Sequence, residues 1–238
     1  MIIIHGDNLV LARNRLAEVI AEAKVKNQKI TRLEAKAVTP ASLQEALGSA
    51  SLFGEQKLLI IEELHSLPTS KKKKELISQI SATVSGADNG TPTTQIVLFE
   101  KKKLTATMLK KFQSQGTNRT QIFEFKISNS LWKLLDFIGN HDKTKTLEIL
   151  HQAIAQNDEY FVFTMICRQI RMLIETKAGG ILKGAPFMIS KLKSQASKFT
   201  LPQLLKLHTQ IFQIDLSQKT SSTPYTLTQQ LDLLLIKM

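Results

Sequence analysis

The first half of the chain alternates between short continuous apolar runs and longer stretches with apolar residues three and four positions apart. Ile2-Ile3-Ile4, Ile30 to Leu33, Leu58 to Ile61, Ile96-Val97-Leu98-Phe99 and Ile122 to Phe125 are runs of strand length. Continuous runs of this kind mark strands covered on both faces, as in parallel sheets. Between them lie helical patterns. Ala12, Leu16, Val19, Ile20 and Ala23 form one face over residues 9–26; Leu43, Ala46 and Leu47 form a second after Thr39-Pro40, where threonine is the N-cap and proline the first helical residue. Leu76, Ile77 and Ile80 mark a third helix, and Met108, Leu109 and Phe112 a fourth. Residues 86–93 read as a loop. Strands separated by helices, with few hairpin signals, predict a parallel sheet with helices on both faces.

After Ser128 only the helical period remains. Leu131 to Ile138, Leu147 to Ile154 and Tyr160 to Ile174 predict three helices; Ala178 to Pro186, with Gly179, Gly180 and Gly184, predicts a linker. Phe187 to Ser197, Leu201 to Leu216 and Pro224 to Met238 predict three more, the second opened by a capping box of Thr200 and Gln203. The expected organisation is α/β plus all-α: a sheet domain at 1–128, a small helical domain at 129–178 and a helical C-terminal domain at 186–238.

Charge adds a bias. The chain of 238 residues carries a net charge of +12. Residues 1–128 hold 19 Lys/Arg against 12 Asp/Glu, 129–178 are neutral, and 179–238 hold 7 against 2. Basic ends favour polyphosphate or acidic protein surfaces, with solubility as the plain alternative. The single cysteine, Cys167, excludes an internal disulfide and a cysteine zinc site, and lies in an apolar helical pattern. The opening Met1 to Gly6 is too short for a secretory or membrane segment, so a cytoplasmic protein is expected.

A phosphate-binding loop would follow the first strand, where Gly6-Asp7-Asn8-Leu9-Val10-Leu11-Ala12-Arg13 stands. The second glycine, lysine and hydroxyl residue of such a loop are replaced by Leu11, Ala12 and Arg13. Leu58 to Glu63 has the outline of the strand that carries a magnesium-holding acid pair, but without phosphates these acids read as the solvated end of a buried strand. His5, His65, His141, His151 and His208 are scattered, with no ligand partner at helical spacing, and no catalytic constellation can be read. No cofactor or metal is expected. Lys71, Lys72, Lys73 and Lys74, and Lys101, Lys102 and Lys103, follow predicted strand ends, the edge where such sheets bind ligands. Contact with a nucleic-acid backbone or a partner is one reading and solvated loop lysine the other.

Several segments, in order, carry a resemblance. Ile4-His5-Gly6-Asp7-Asn8 with Leu11, Ala50-Ser51-Leu52-Phe53-Gly54, FTMICRQIRML at Phe163 to Leu173, PFMISKLKSQASKFTLPQLL at Pro186 to Leu205, Asp215 with Lys219, and the closing Leu231 to Leu235 span nearly the whole chain. Together they resemble the delta subunit of the bacterial DNA polymerase III clamp loader, a member of the AAA+ superfamily. The resemblance implies an AAA+-like sheet domain with a degenerate phosphate loop, a helical lid and a helical collar. It implies a subunit that binds and opens the sliding clamp (the beta subunit) during DNA replication without hydrolysing ATP. Its partners would be ATPase motor subunits and a delta-prime-like subunit in a hetero-pentamer, and primer-template DNA, at the replication fork of a bacterial cytoplasm.

By pattern alone Leu52 and Phe53 are ordinary core residues. The resemblance makes them an exposed pair that inserts into the clamp. The alternative is a stand-alone nucleic-acid-binding protein on a degenerate AAA+ fold; an active ATPase of the same superfamily is the third reading.

Overall fold

The computed structural model describes residues 1–48, 56–85, 94–113, 120–140, 142–182 and 184–237. These form two compact units, Met1–Lys126 and Ile127–Met238.

In the first unit β1 (Ile2–Gly6), β2 (Lys29–Glu34), β3 (Lys57–Glu62), β4 (Thr94–Glu100) and β5 (Gln121–Phe125) make one sheet in the order β2-β3-β4-β1-β5. Every neighbouring pair is parallel. The helices between them are α1 (Leu9–Val25), α2 (Pro40–Gly48), α3 (Lys71–Ser85) and α4 (Ala106–Gln113). Alternate strand residues feed two apolar layers. Ile2, Ile4, Leu58, Ile60, Val97 and Phe99 pack with Ala12, Leu16, Val19 and Ala23 of α1. Ile3, Leu59, Ile61, Ile96 and Leu98 pack with Leu43 of α2, Leu76 and Ile80 of α3 and Phe112 of α4. The period of two along each strand thus explains the continuous runs: both faces are covered. Among the described residues one face has a single helix and the other has three, as right-handed crossovers require when β1 connects to the far edge and the following strands step back towards it.

Gly6 closes β1 against β5. Its φ is +134°, and a Cβ there would stand 2.0 Å from the Phe125 carbonyl oxygen, so only glycine fits.

The second unit holds α5 (Asn129–Phe137), α6 (Lys143–Gln156), α7 (Glu159–Lys177), α8 (Pro186–Ser197), α9 (Leu201–Lys219) and α10 (Leu227–Ile236). All six contribute to one hydrophobic cluster, among them Leu131, Leu150, Ile166, Ala196, Leu204 and Leu231. Short polar caps set the starts: Ser128, Asp142 and Asp158 each accept a hydrogen bond from an amide of the first helical turn. The capping box of Thr200 and Gln203 forms as expected. A second one, Thr226 with Gln229, starts α10 at Leu227, so the helix expected from Pro224 begins three residues later. The expected loop at 86–93 lies outside the described residues.

Candidate functional site

The turn after β1 consists of Asp7 and Asn8 alone, because α1 begins at Leu9. Asn8 is buried; its N–H donates to the Phe125 carbonyl at 3.0 Å, and its Oδ1 accepts from the Leu11 N–H at 3.2 Å. A phosphate cradle needs a wide loop with amides turned to the ligand. Here the turn is short, its asparagine caps the helix, and Leu11, Ala12 and Arg13 already lie within α1.

At the end of β3, Glu63 has φ +59° and donates its N–H to the Phe99 carbonyl at 2.9 Å. Its carboxylate pairs with Lys101, and that hydrogen bond holds the Glu63 carboxyl below its ordinary range and raises the Lys101 ammonium. Beside it, β1 and β4 bring His5 and Glu100 into register, and both side chains are buried. The first connection from β1 and the one that leaves β4 depart in opposite directions here, the switch point of the sheet. His5 Nδ1 accepts from the Leu104 N–H at 3.2 Å, so the neutral ring carries its proton on Nε2. Burial lowers the His5 pKa from 6.5. Glu100 Oε1 accepts from both the backbone N–H and the Nδ1 of His65, each at 2.9 Å. This buried cluster was not legible in the sequence, since its members stand far apart along the chain. Among the described residues no group of three His, Cys, Asp or Glu side chains is placed to hold a metal.

The two lysine runs divide by what they touch. Lys73 Nζ donates to the His65 and Leu67 carbonyls, both at 2.7 Å, and so ties down the turn after β3. Lys72 donates to the Lys36 carbonyl at 3.1 Å. Lys103 lies 3.0 Å from Glu124, which with Lys126 depresses the Glu124 carboxyl. The ammonium groups of Lys71, Lys74 and Lys102 have no hydrogen-bond or ion-pair partner among the described residues. Lys71 to Lys74 form the first turn of α3.

Leu52 and Phe53 lie outside the described residues. The residues that bracket them are held: Lys57 Nζ, at the start of β3, donates to the Ala46 carbonyl of α2 at 2.8 Å, and Gln56 accepts at its carbonyl from the Lys29 N–H at 3.1 Å. The bracket stands at the start of β3, whereas both lysine runs follow the ends of β3 and β4. In a parallel sheet these are opposite edges.

In the helical unit, Leu205, Phe212 and Leu216 are exposed along α9, and Phe187 and Met188 are exposed at the start of α8, Phe187 at 72%. Asp215 and Lys219 pair at 2.7 Å one turn apart. Cys167 is half-buried, and burial pushes its thiol up to about 11.

Residues 128–238 match the family model described as DNA polymerase III delta subunit, C-terminal domain. The match begins within two residues of the boundary between the two units. No curated protein sequence matches the chain. Among solved structures, the Bacillus subtilis DNA clamp loader delta protein is similar at 15% identity, with a TM-score of 0.47, over 99% of this chain and 94% of that one. No helix of the described residues is long and apolar enough to cross a membrane. On the family match the helical unit is similar to the C-terminal domain of the DNA polymerase III delta subunit family.

Proposed function

We propose that the chain is the clamp-loader subunit that binds a ring-shaped sliding clamp and opens it, with Leu52 and Phe53 as the inserted pair, and that it does so without hydrolysing nucleotide. The observation that carries this reading is the match of residues 128–238 to the C-terminal domain of the delta family. The short capped turn after β1 supports the non-hydrolysing part, since Asn8 takes the place of a phosphate cradle. The tie between Lys57 and Ala46 supports the inserted pair: it fixes the strand start and helix end that present the segment. Burying Leu and Phe together yields roughly 3–6 kcal/mol of gross hydrophobic free energy. Docking consumes part of it. What remains favours whichever state of the ring exposes the pocket better, which shifts the ring towards opening.

The helices from 186 onward serve assembly with motor subunits. The exposed Leu205, Phe212 and Leu216 on α9 support this, because a row of apolar side chains along one helix marks a protein contact. The segments 129–178 and 186–238 act as lid and collar. Primer-template DNA meets the lysine-bearing edge, chiefly through Lys71, Lys74 and Lys102, and the protein works in the bacterial cytoplasm at the fork.

The test is binding of purified bacterial sliding clamp to the wild-type chain and to Leu52→Ala/Phe53→Ala, with thermal melts to verify the fold. A loss of about 30-fold or more in affinity with an unchanged melt is expected. Unchanged affinity removes the pair from the mechanism. The second reading, a stand-alone nucleic-acid-binding protein, is favoured by the basic balance of residues 1–128. Steep salt-dependent DNA binding with no affinity for the clamp selects it.

A further inference from the structure

Among the described residues of the first unit one helix covers the α1 face of the sheet, and a hollow of about 500 Å³ opens between α1 and the β2–β3–β4 strands. On the helix side its lining is a single stripe: Arg13, Leu16, Ala17, Ile20, Ala21 and Lys24. These positions recur at three- and four-residue intervals, so they share one face of α1. Arg32 of β2, Glu62 of β3, Phe99 of β4 and Lys101 complete it. The floor is apolar, from Leu16, Ile20 and Phe99; the rim carries four cations, Arg13, Lys24, Arg32 and Lys101, against one acid, Glu62. Lys101 is already paired with Glu63, but the side chains of Arg13, Lys24 and Arg32 have no hydrogen-bond or ion-pair partner among the described residues.

We propose that this hollow binds a short acidic peptide segment of a partner protein, with apolar side chains on the floor and carboxylates on Arg13, Lys24 and Arg32. Two features decide between this and other anions. Arg13 and Lys24 are eleven residues apart on one helix, about 16 Å along its axis, so the cations are spread along a groove rather than gathered on one phosphate group. The floor offers aliphatic surface, and Phe99 is too buried to stack with a base. An extended peptide that alternates acids with Leu, Ile or Phe satisfies rim and floor together, and its small footprint is that of a side groove rather than an obligate interface.

The proposal does not rest on clamp binding through Leu52 and Phe53. Its test is selection of a display library of random dodecapeptides on the full chain, followed by anisotropy titration of the labelled consensus. Two variants are used: Arg13→Glu/Arg32→Glu, which reverses the rim charge, and Ala21→Trp, which fills the hollow and leaves the charge alone. Both alter side chains that reach solvent, and a thermal melt verifies each fold. The expected result is a consensus alternating acidic and apolar residues, whose affinity falls by about tenfold or more on each variant and is unchanged on Leu52→Ala/Phe53→Ala. Absence of an acidic–apolar consensus overturns the proposal. So does equal affinity for either hollow variant, or displacement of the peptide by oligothymidylate whose own binding Ala21→Trp abolishes, which would make the hollow a nucleic-acid site.

Discussion

Gln169 donates its side-chain amide to the side-chain oxygen of Gln195 at 2.7 Å, and both residues are buried. The first lies in α7 and the second in α8. Gln195 in turn donates to the Leu135 and Ile138 carbonyls at the end of α5, at 2.7 and 2.9 Å. The last carbonyls of a helix lack partners of their own, so a buried helix end needs a donor of this kind. One glutamine therefore closes α5 and joins it to α7 and α8. Replacing Gln195 by Leu strands two carbonyls and the Gln169 amide, and about 2–4 kcal/mol of stability should be lost. Gln169→Leu strands one acceptor and should cost about 1–2 kcal/mol. Denaturant titration of both variants checks the order; equal or negligible losses would refute the node.

Gly6→Ala meets two obstacles, the positive φ and the Phe125 carbonyl in the space of the new methyl. A loss of about 3 kcal/mol or more is expected, with β5 the first strand to lose amide-exchange protection. Retained stability with intact β1–β5 protection would contradict the observed strand pairing.

His5 should give the stability curve an acid limb. Its folded pKa lies below 6.5, so the unfolded chain takes up the proton first. The stabilisation is complete above that value and falls as pH drops below about 6.5 towards the folded pKa. The depressed Glu63 and Glu124 act in a separate window: their contribution is present above about 4.5 and is lost as pH falls through their lowered values. His5→Asn keeps an acceptor for the Leu104 N–H and should flatten only the upper limb. Melting temperatures recorded from pH 7.5 to 4 distinguish the two windows, and an unchanged upper limb would show that His5 does not cause it.

Glu100→Ala removes the acceptor shared by two donors of His65 in a buried site, and about 2–4 kcal/mol should be lost. Glu100→Gln retains an oxygen there and should recover a large part of it. Equal losses would assign the effect to charge rather than to the turn after β3.

The lysines should separate into two classes. Lys71→Glu, Lys74→Glu and Lys102→Glu should leave the melt unchanged and lower the salt slope of primer-template binding by about one for each phosphate no longer neutralised. Lys73→Met should instead destabilise the fold, because the turn loses the ammonium that satisfies the His65 and Leu67 carbonyls. A salt slope unmoved by the first three would leave that edge without a DNA role.

Local patterning carried much of this protein by itself. The apolar runs from Ile2 to Ile4 and Leu58 to Ile61 are buried parallel strands, and the three- and four-residue spacings after Ser128 are six helices, because burial on two faces or on one stripe leaves a direct imprint on residue order. That Leu11, Ala12 and Arg13 stand where a phosphate loop needs glycine, lysine and a hydroxyl was read from residue order, since that chemistry depends on neighbours in sequence. Other features needed the tertiary structure. The strand order, the meeting of His5 with Glu100 and His65, and the bond between Gln169 and Gln195 join residues that local order does not relate. The hollow beside α1 exists because strand order sends one helix to one face and three to the other, leaving Arg13, Lys24 and Arg32 around sheet that a second helix would have covered. Periodicity records which side of an element is buried; which element buries it, and what stays uncovered, is decided only when the crossovers close.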